Sequence, residues 1–256
     1  MTNKKRIFFL ILFVLLLILL KVGIYKFVSN DNNDVNIIEN KEQVSENDIP
    51  VLISTKDIKE ENFSGTRPEI SGFSPLVAKA QEYIEQRISE FKAQADIDVP
   101  EMRKQFGAES PTSNYTIDIN ATYIKSEKTE SIVISEYVYT GGANGNSSYK
   151  VITVSLPEGK VLSLSDVIKK DRQASFVSLV KKELIDWRPV GSTGPVVFEE
   201  EVKNLVFDSF KNWSLDNENL VLYFDKYEIG PGVLGPVAFP LPLMIIKDFL
   251  EPAFSL

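Results

Sequence analysis

YVYTGGANGNSSYKVITVSLPEGKVLSLSD, residues 137–166, is the stretch whose reading decides the fold of this chain. Tyr137, Val138 and Tyr139 have strand chemistry, and Ile152, Val154 and Leu156 alternate with smaller or polar residues after the turn. Between them lies Thr140-Gly141-Gly142-Ala143-Asn144-Gly145-Asn146, where Gly and Asn supply the positive φ values that bulkier residues resist. Two strands joined by a glycine-rich turn are therefore expected. Pro157-Glu158-Gly159-Lys160 makes a second turn, and Ser163-Leu164-Ser165-Asp166 has the S-x-x-D form of a helix start.

Working outward, Ser131–Tyr139 extends the first strand, with the charged turn Lys125–Glu130 ahead of it. Tyr115, Ile117, Ile119, Ala121 and Tyr123 alternate with Thr116, Asp118, Asn120 and Thr122, the pattern of a half-buried strand. Together these predict a three-strand antiparallel meander. Further upstream, Ser74-Pro75 opens a helix whose stripe is Leu76, Ala80, Ile84 and Ile88, with Val77 and Phe91. Val51–Ser54 reads as a first strand, Glu61–Gly72 as loop with a short strand, and Asp96–Ser113 as the least regular stretch, a helix continuation followed by a loop at Gly107–Pro111. Downstream, Phe176, Leu179, Val180, Leu184 and Trp187 predict a helix from Asp166 to Trp187, closed by Pro189. Phe198, Val202, Leu205, Val206 and Phe210 predict another helix. Leu220–Phe224, apolar on both faces, predicts a central strand, and Leu243–Leu250 a last helical piece.

The N-terminus has its own signature. Ile7–Leu20 is unbroken apolar behind Lys4, Lys5 and Arg6, and carried through Tyr25 it forms a segment near the roughly 20 residues that span a bilayer. The basic flank predicts residues 1–6 as a cytoplasmic stub, 7–25 as a transmembrane anchor and everything beyond as extracytoplasmic. A cleaved signal peptide is the rival reading, but Lys21–Asn30 offers no small-x-small cleavage site. Residues 26–48, polar and rich in Asn, Asp and Glu, read as a flexible linker; about twenty residues of coil reach on the order of 25 Å. Residues 49–94 are expected to form a small N-terminal subdomain and 95–256 the main extracytoplasmic domain. The fold class is α+β, an antiparallel sheet with helices mainly on one face, preceded by the anchor.

Composition excludes several chemistries. The chain has no Cys and no His, so disulfides, thiolate nucleophiles, a Ser-His-Asp triad and imidazole metal ligands are all absent. No cofactor, metal site or catalytic residue is assigned. The first 30 residues hold five cations and no acid, while the rest holds 23 basic and 36 acidic residues, a net −13. That balance argues against nucleic acid as a partner and permits a basic protein.

Tyr139-Thr140-Gly141-Gly142-Ala143, then Gly159-Lys160 before Leu162-Ser163-Leu164-Ser165-Asp166, resemble the extracytoplasmic domain of unknown function of family 3298. So does Leu220–Ile229, followed by Gly230-Pro231, Gly235-Pro236 and Pro240-Leu241. Arg67-Pro68-Glu69-Ile70-Ser71-Gly72 is similar to the smaller domain, of the family 4163 type, that usually precedes it. The family 3298 domain accompanies lysozyme-sensing anti-sigma factors and some peptidoglycan deacetylases. The family usually has His after Gly-Gly-Ala; this chain has Asn144, so a role resting on that imidazole does not carry over.

The resemblance implies a membrane-anchored, non-catalytic module that binds or senses an envelope ligand, either a basic lysozyme-like protein or peptidoglycan glycan. Six residues ahead of the anchor leave no room for a sigma-factor-binding domain, and none after Leu250 for a deacetylase. The expected output is ligand sequestration or signalling through another membrane protein. The expected ligand-binding residues are Tyr139, Gly141, Gly142 and Asn144 of the hairpin with Tyr223, Asp225, Tyr227 and Glu228. Their proximity is an expectation from the resemblance. A wall-polysaccharide hydrolase using carboxylates such as Asp225 and Glu228, and an envelope scaffold, are the alternatives.

Overall fold

In a computed structural model, residues 50–108, 110, 114–189, 191–192 and 194–255 are described. The expected stub, anchor and linker, residues 1–6, 7–25 and 26–48, lie outside them. Among the described residues no helix is long and apolar enough to cross a membrane.

The predicted meander is present. β3 (Tyr115–Lys125), β4 (Thr129–Tyr139) and β5 (Asn146–Ser155) pair antiparallel with continuous registers. Two further strands extend it, β1 (Leu52–Lys59) and β2 (Phe63–Ser71), giving the order β1-β2-β3-β4-β5. The expectation of a short strand in Glu61–Gly72 understated β2, because Gly65 and Pro68 interrupt its alternation. Gly65 is required where it stands: a Cβ there would lie 1.7 Å from the Ile117 carbonyl oxygen across the β2–β3 pair. That pair is parallel, running from Phe63↔Tyr115 to Thr66↔Asp118, so the sheet is mixed rather than antiparallel throughout.

The parallel joint needs a crossover, and α1 (Pro75–Phe106) provides it. Ser74 caps it, its Oγ accepting from Leu76 N–H at 3.2 Å, with Pro75 in the first turn. As the helix-continuation reading of Asp96–Ser113 has it, the helix runs on across residue 94 and through Pro100 to Gly107 at φ 89°. Proline removes one helical hydrogen bond. Tertiary contacts outweigh that loss: Tyr115 Oη donates to Asp98 Oδ2 at 3.0 Å, and Arg103 donates to Asn62 Oδ1 and the Glu61 carbonyl, each at 3.0 Å. Leu76, Ala80, Ile84, Phe91, Ala95 and Val99 pack on Ile117, Ile119, Ile132, Ile134 and Val154.

The other face of this sheet carries strands rather than helices, which corrects the expectation of a single sheet. A second, three-stranded sheet, β6 (Trp213–Leu215), β7 (Asn219–Phe224) and β8 (Val237–Pro242), covers it. The seam is small and semi-polar, and so reads as a wet face in sequence. Val133, Val151 and Tyr223 fill part of it. Ser131 Oγ and Thr153 Oγ1 lie 2.9 Å apart, Thr153 Oγ1 donates to the Trp213 carbonyl at 2.9 Å, and Thr129 Oγ1 to the Leu215 carbonyl at 3.2 Å.

β7 is central, as expected, but in the smaller sheet. β8 escaped prediction because Pro240 and Pro242 sit in it; both are exposed on an edge strand, where a missing N–H is tolerated. Beyond the second sheet lies the larger core, built from Phe176, Val180, Leu184, Phe210 and Phe224 with short helices. The single helix expected over 166–187 is divided into α2 (Leu164–Val167) and α3 (Gln173–Asp186). Capping at Ser163 is as expected, with Asp166 Oδ2 accepting from Ser163 N–H at 2.8 Å. The next, expected over 198–210, is reduced to α4 (Glu199–Asn204) and one 3₁₀ turn. The last is α5 (Leu243–Ile246) with a 3₁₀ turn.

Candidate functional site

Two turns meet at one end of the larger sheet. The first is the β4–β5 loop, Thr140–Gly145, in which Gly141 takes φ 83° while a Cβ on the exposed Gly142 would meet only the Asn144 carbonyl oxygen, at 3.9 Å. At its end Gly145 is buried under the Tyr137 side chain; a Cβ there would come within 2.4 Å of the ring. The second turn follows β7 at Asp225–Glu228. Tyr227 adopts φ 73°, a left-handed conformation that bulky residues rarely occupy.

Side chains hold the second turn rigid and weld it to the first. Glu228 Oε2 accepts from Asp225 N–H at 2.7 Å, and Asp225 Oδ1 accepts from Tyr149 N–H at 2.7 Å. Lys226 donates through its backbone N–H to the Ser147 carbonyl at 3.0 Å and through Nζ to the Gly145 carbonyl at 2.7 Å. The same Nζ stands 5.0 Å from the centre of the Tyr227 ring, within cation–π range. Tyr227 in turn lies on Gly232, where a Cβ would come within 2.2 Å of the ring. The two tyrosines are thus each backed by a glycine, with Lys226 between them. Both remain open to solvent, Tyr137 at 40% and Tyr227 at 57% exposure.

The proximity expected of the hairpin and the Tyr223–Glu228 region is therefore observed, though the residues take different parts than sequence suggested. Gly142 and Asn144 are exposed at the loop tip, and Tyr139 and Gly141 are half-buried. Tyr227 presents its ring. Tyr223 does not: it is 7% exposed, its hydroxyl lies 3.0 Å from Ser214 Oγ, and its ring packs edge-on to Tyr149 at 5.1 Å. It serves the seam between the sheets and must be removed from the contact surface. Asp225 and Glu228 are half-buried and spend their carboxylates on backbone N–H groups, which weakens both the hydrolase alternative and the offer of charge to a basic partner. Burial, reinforced by the neighbouring Asp225 charge, pushes the Glu228 carboxyl above its ordinary range, against the Asp225 N–H and Lys211.

Tyr137, Gly145, Lys226 and Gly232 belong to the site and were not singled out from sequence. No periodicity marks them, since each matters through a contact across 80 residues or so of chain or through glycine as a backing. Among the described residues no cluster of three or more His, Cys, Asp or Glu side chains could hold a metal ion.

Comparison with known proteins finds two family matches in tandem along the chain. Residues 37–147 match the family model Deacetylase PdaC, and residues 165–244 match Protein of unknown function (DUF3298). Tyr139–Ala143, read from sequence as resembling family 3298, thus falls instead in the PdaC match, while Leu220–Ile229 falls in the DUF3298 match. The peptidoglycan-N-acetylmuramic acid deacetylase PdaC of Bacillus subtilis (strain 168) is 22% identical over 248 residues, covering 94% of this chain and 50% of its own length. The chain therefore spans about half the length of this curated relative. DUF3298 proteins of Bacteroides fragilis NCTC 9343 and Pseudomonas aeruginosa PAO1 share the fold at a TM-score of 0.53 and 16% identity each. They cover 79% and 80% of this chain and 94% and 95% of their own. Two family models are thus matched in tandem, residues 37–147 being similar to the PdaC segment and residues 165–244 to the DUF3298 domain, on a fold shared with solved DUF3298 proteins.

Proposed function

We propose that this chain is a non-catalytic binding module of the cell envelope, held at the membrane through residues 7–25, and that it takes a cell-wall glycan at the welded turns. The observation that carries this reading is the pair of exposed, glycine-backed tyrosines flanking Lys226. Tyrosine offers an apolar ring face with a polar tip, suited to a ligand that alternates C–H faces with hydroxyls. Because hydrogen bonds lock the second turn and tie it to Gly145 and Ser147 at the end of the first, little ordering of Tyr227 and Lys226 is left for binding to impose. The peptidoglycan deacetylase named among the relatives supports an envelope setting.

A basic, lysozyme-like partner is the second reading, favoured by the net −13 beyond residue 30. Its weakness is local, since Asp225 and Glu228 are already engaged. Titration calorimetry of the full-length chain with soluble peptidoglycan fragments, and separately with a lysozyme at two salt concentrations, tests both. Tyr227→Ala is expected to weaken glycan binding by about tenfold, the scale of losing one aromatic anchor. Glycan affinity indifferent to Tyr227→Ala and Tyr137→Ala, or salt-sensitive lysozyme binding in its place, overturns the glycan reading. Turnover of the fragments seen by mass spectrometry overturns the non-catalytic one.

A further inference from the structure

Most outward backbone groups of β5 between Ser147 and Ser155 are taken up, but two neighbouring ones are not. The Ser147 carbonyl accepts from Lys226 N–H, and Tyr149 N–H donates to Asp225 Oδ1. The Asn212 side chain then stands in for a strand: Nδ2 donates to the Tyr149 carbonyl at 2.9 Å, and Oδ1 accepts from Val151 N–H at 3.2 Å. Further along, the Thr153 carbonyl accepts from Leu162 N–H at 2.9 Å, and Ser155 N–H donates to the Lys160 carbonyl at 2.8 Å.

These partners show that the odd-numbered residues of β5 turn their backbone groups away from β4. The Val151 carbonyl and the Thr153 N–H therefore point outward too. Neither meets a hydrogen-bond partner among the described residues. A cavity of about 430 Å³ opens at this gap, within the size range of ligand sites. Val151 and Thr153 line one side of it, and Val161, Leu162 and Phe210 give it apolar walls. Lys211 and Asp208, both exposed, stand among its lining residues.

We propose that this cavity binds a short peptide in extended conformation, laid against β5 as a further length of strand. An outward acceptor on residue 151 and an outward donor on residue 153 match the N–H and C=O of one residue in a parallel strand. The side chain of that residue, or of its neighbour, is apolar and meets Val161 and Leu162. The peptide's terminal carboxylate is received by Lys211. The acetamido group of a wall sugar points its N–H and C=O in opposite directions, whereas one strand residue points both the same way, so this site and the tyrosine site differ in ligand class.

The test uses the full-length chain and the tripeptide acetyl-Ala-Leu-Ala with a free carboxylate, beside the same peptide N-methylated at leucine. Binding is followed by titration calorimetry, and amide exchange across residues 149–155 by mass spectrometry. The tripeptide is expected to bind and to slow exchange in that segment. N-methylation is expected to weaken binding at least about fivefold, the scale of one backbone hydrogen bond. Val161→Arg, at a side chain already 44% exposed, is expected to block binding without unfolding the chain, while Tyr227→Ala leaves it unchanged. No binding at millimolar peptide, equal affinity for the two peptides, or unaltered exchange at saturation overturns the proposal.

Discussion

The two faces of the larger sheet are held by different physics. Towards α1, Ile132, Ile134 and Val154 meet Leu76, Ile84 and Phe91 in a wholly apolar interface. Towards β6–β7, the same strands present Ser131, Thr153 and Thr129, each hydrogen-bonded, around a small cluster of Val133, Val151 and Tyr223. Apolar burial supplies free energy without much direction, whereas hydrogen bonds add little net energy but penalise misalignment. The helix side is thus the larger source of stability, and the seam is what sets how the two sheets register.

Substitution can break this contrast. Ile134→Ala, at a side chain 1% exposed, is expected to cost about 3 to 4 kcal/mol, measured by denaturant unfolding. A loss below about 1 kcal/mol would mean the apolar face is not the stronger one. Asn212→Ala, on the seam side, strands Val151 N–H and the Tyr149 carbonyl, and is expected to cost about 2 kcal/mol. If it equals or exceeds Ile134→Ala, the ranking of the two faces is reversed.

The smallest effect concerns pH. The Glu228 carboxyl is pushed up in the folded protein, chiefly by burial, so folding favours its protonated form. Its contribution to stability is present below the ordinary carboxylate range and is lost as pH rises through the raised folded value. Glu228→Gln, which keeps an acceptor for Asp225 N–H, is therefore expected to flatten the fall in melting temperature over that window. An unchanged slope would show that Glu228 is as well solvated as any surface acid.

Legibility followed the same line. Strands with one face apolar and the other mixed, such as Tyr115–Tyr123, announced themselves through alternation. The second sheet did not, because β6 is three residues long and β8 carries two prolines. That Ser131 and Thr153 face a neighbour rather than water has no local signature, since both residue types suit either setting. At the site, the glycine-rich hairpin and the exposed Tyr227 were readable, and the nearness of the two turns followed from the resemblance. Tyr223 misled, for alternation alone does not say which side of a central strand is covered.

The parallel joint between β2 and β3 has a consequence in time as well as in space. Its four residue pairs connect segments 52 residues apart, whereas β1–β2 and β3–β4–β5 each close through turns of a few residues. Local pairings form first because they lose less chain entropy. The β1–β2 hairpin therefore arrives late, delivered by a crossover helix about 48 Å long if straight. In the reverse direction it is the unit expected to detach before the meander opens, so that amide protons of residues 52–71 exchange ahead of those in β4.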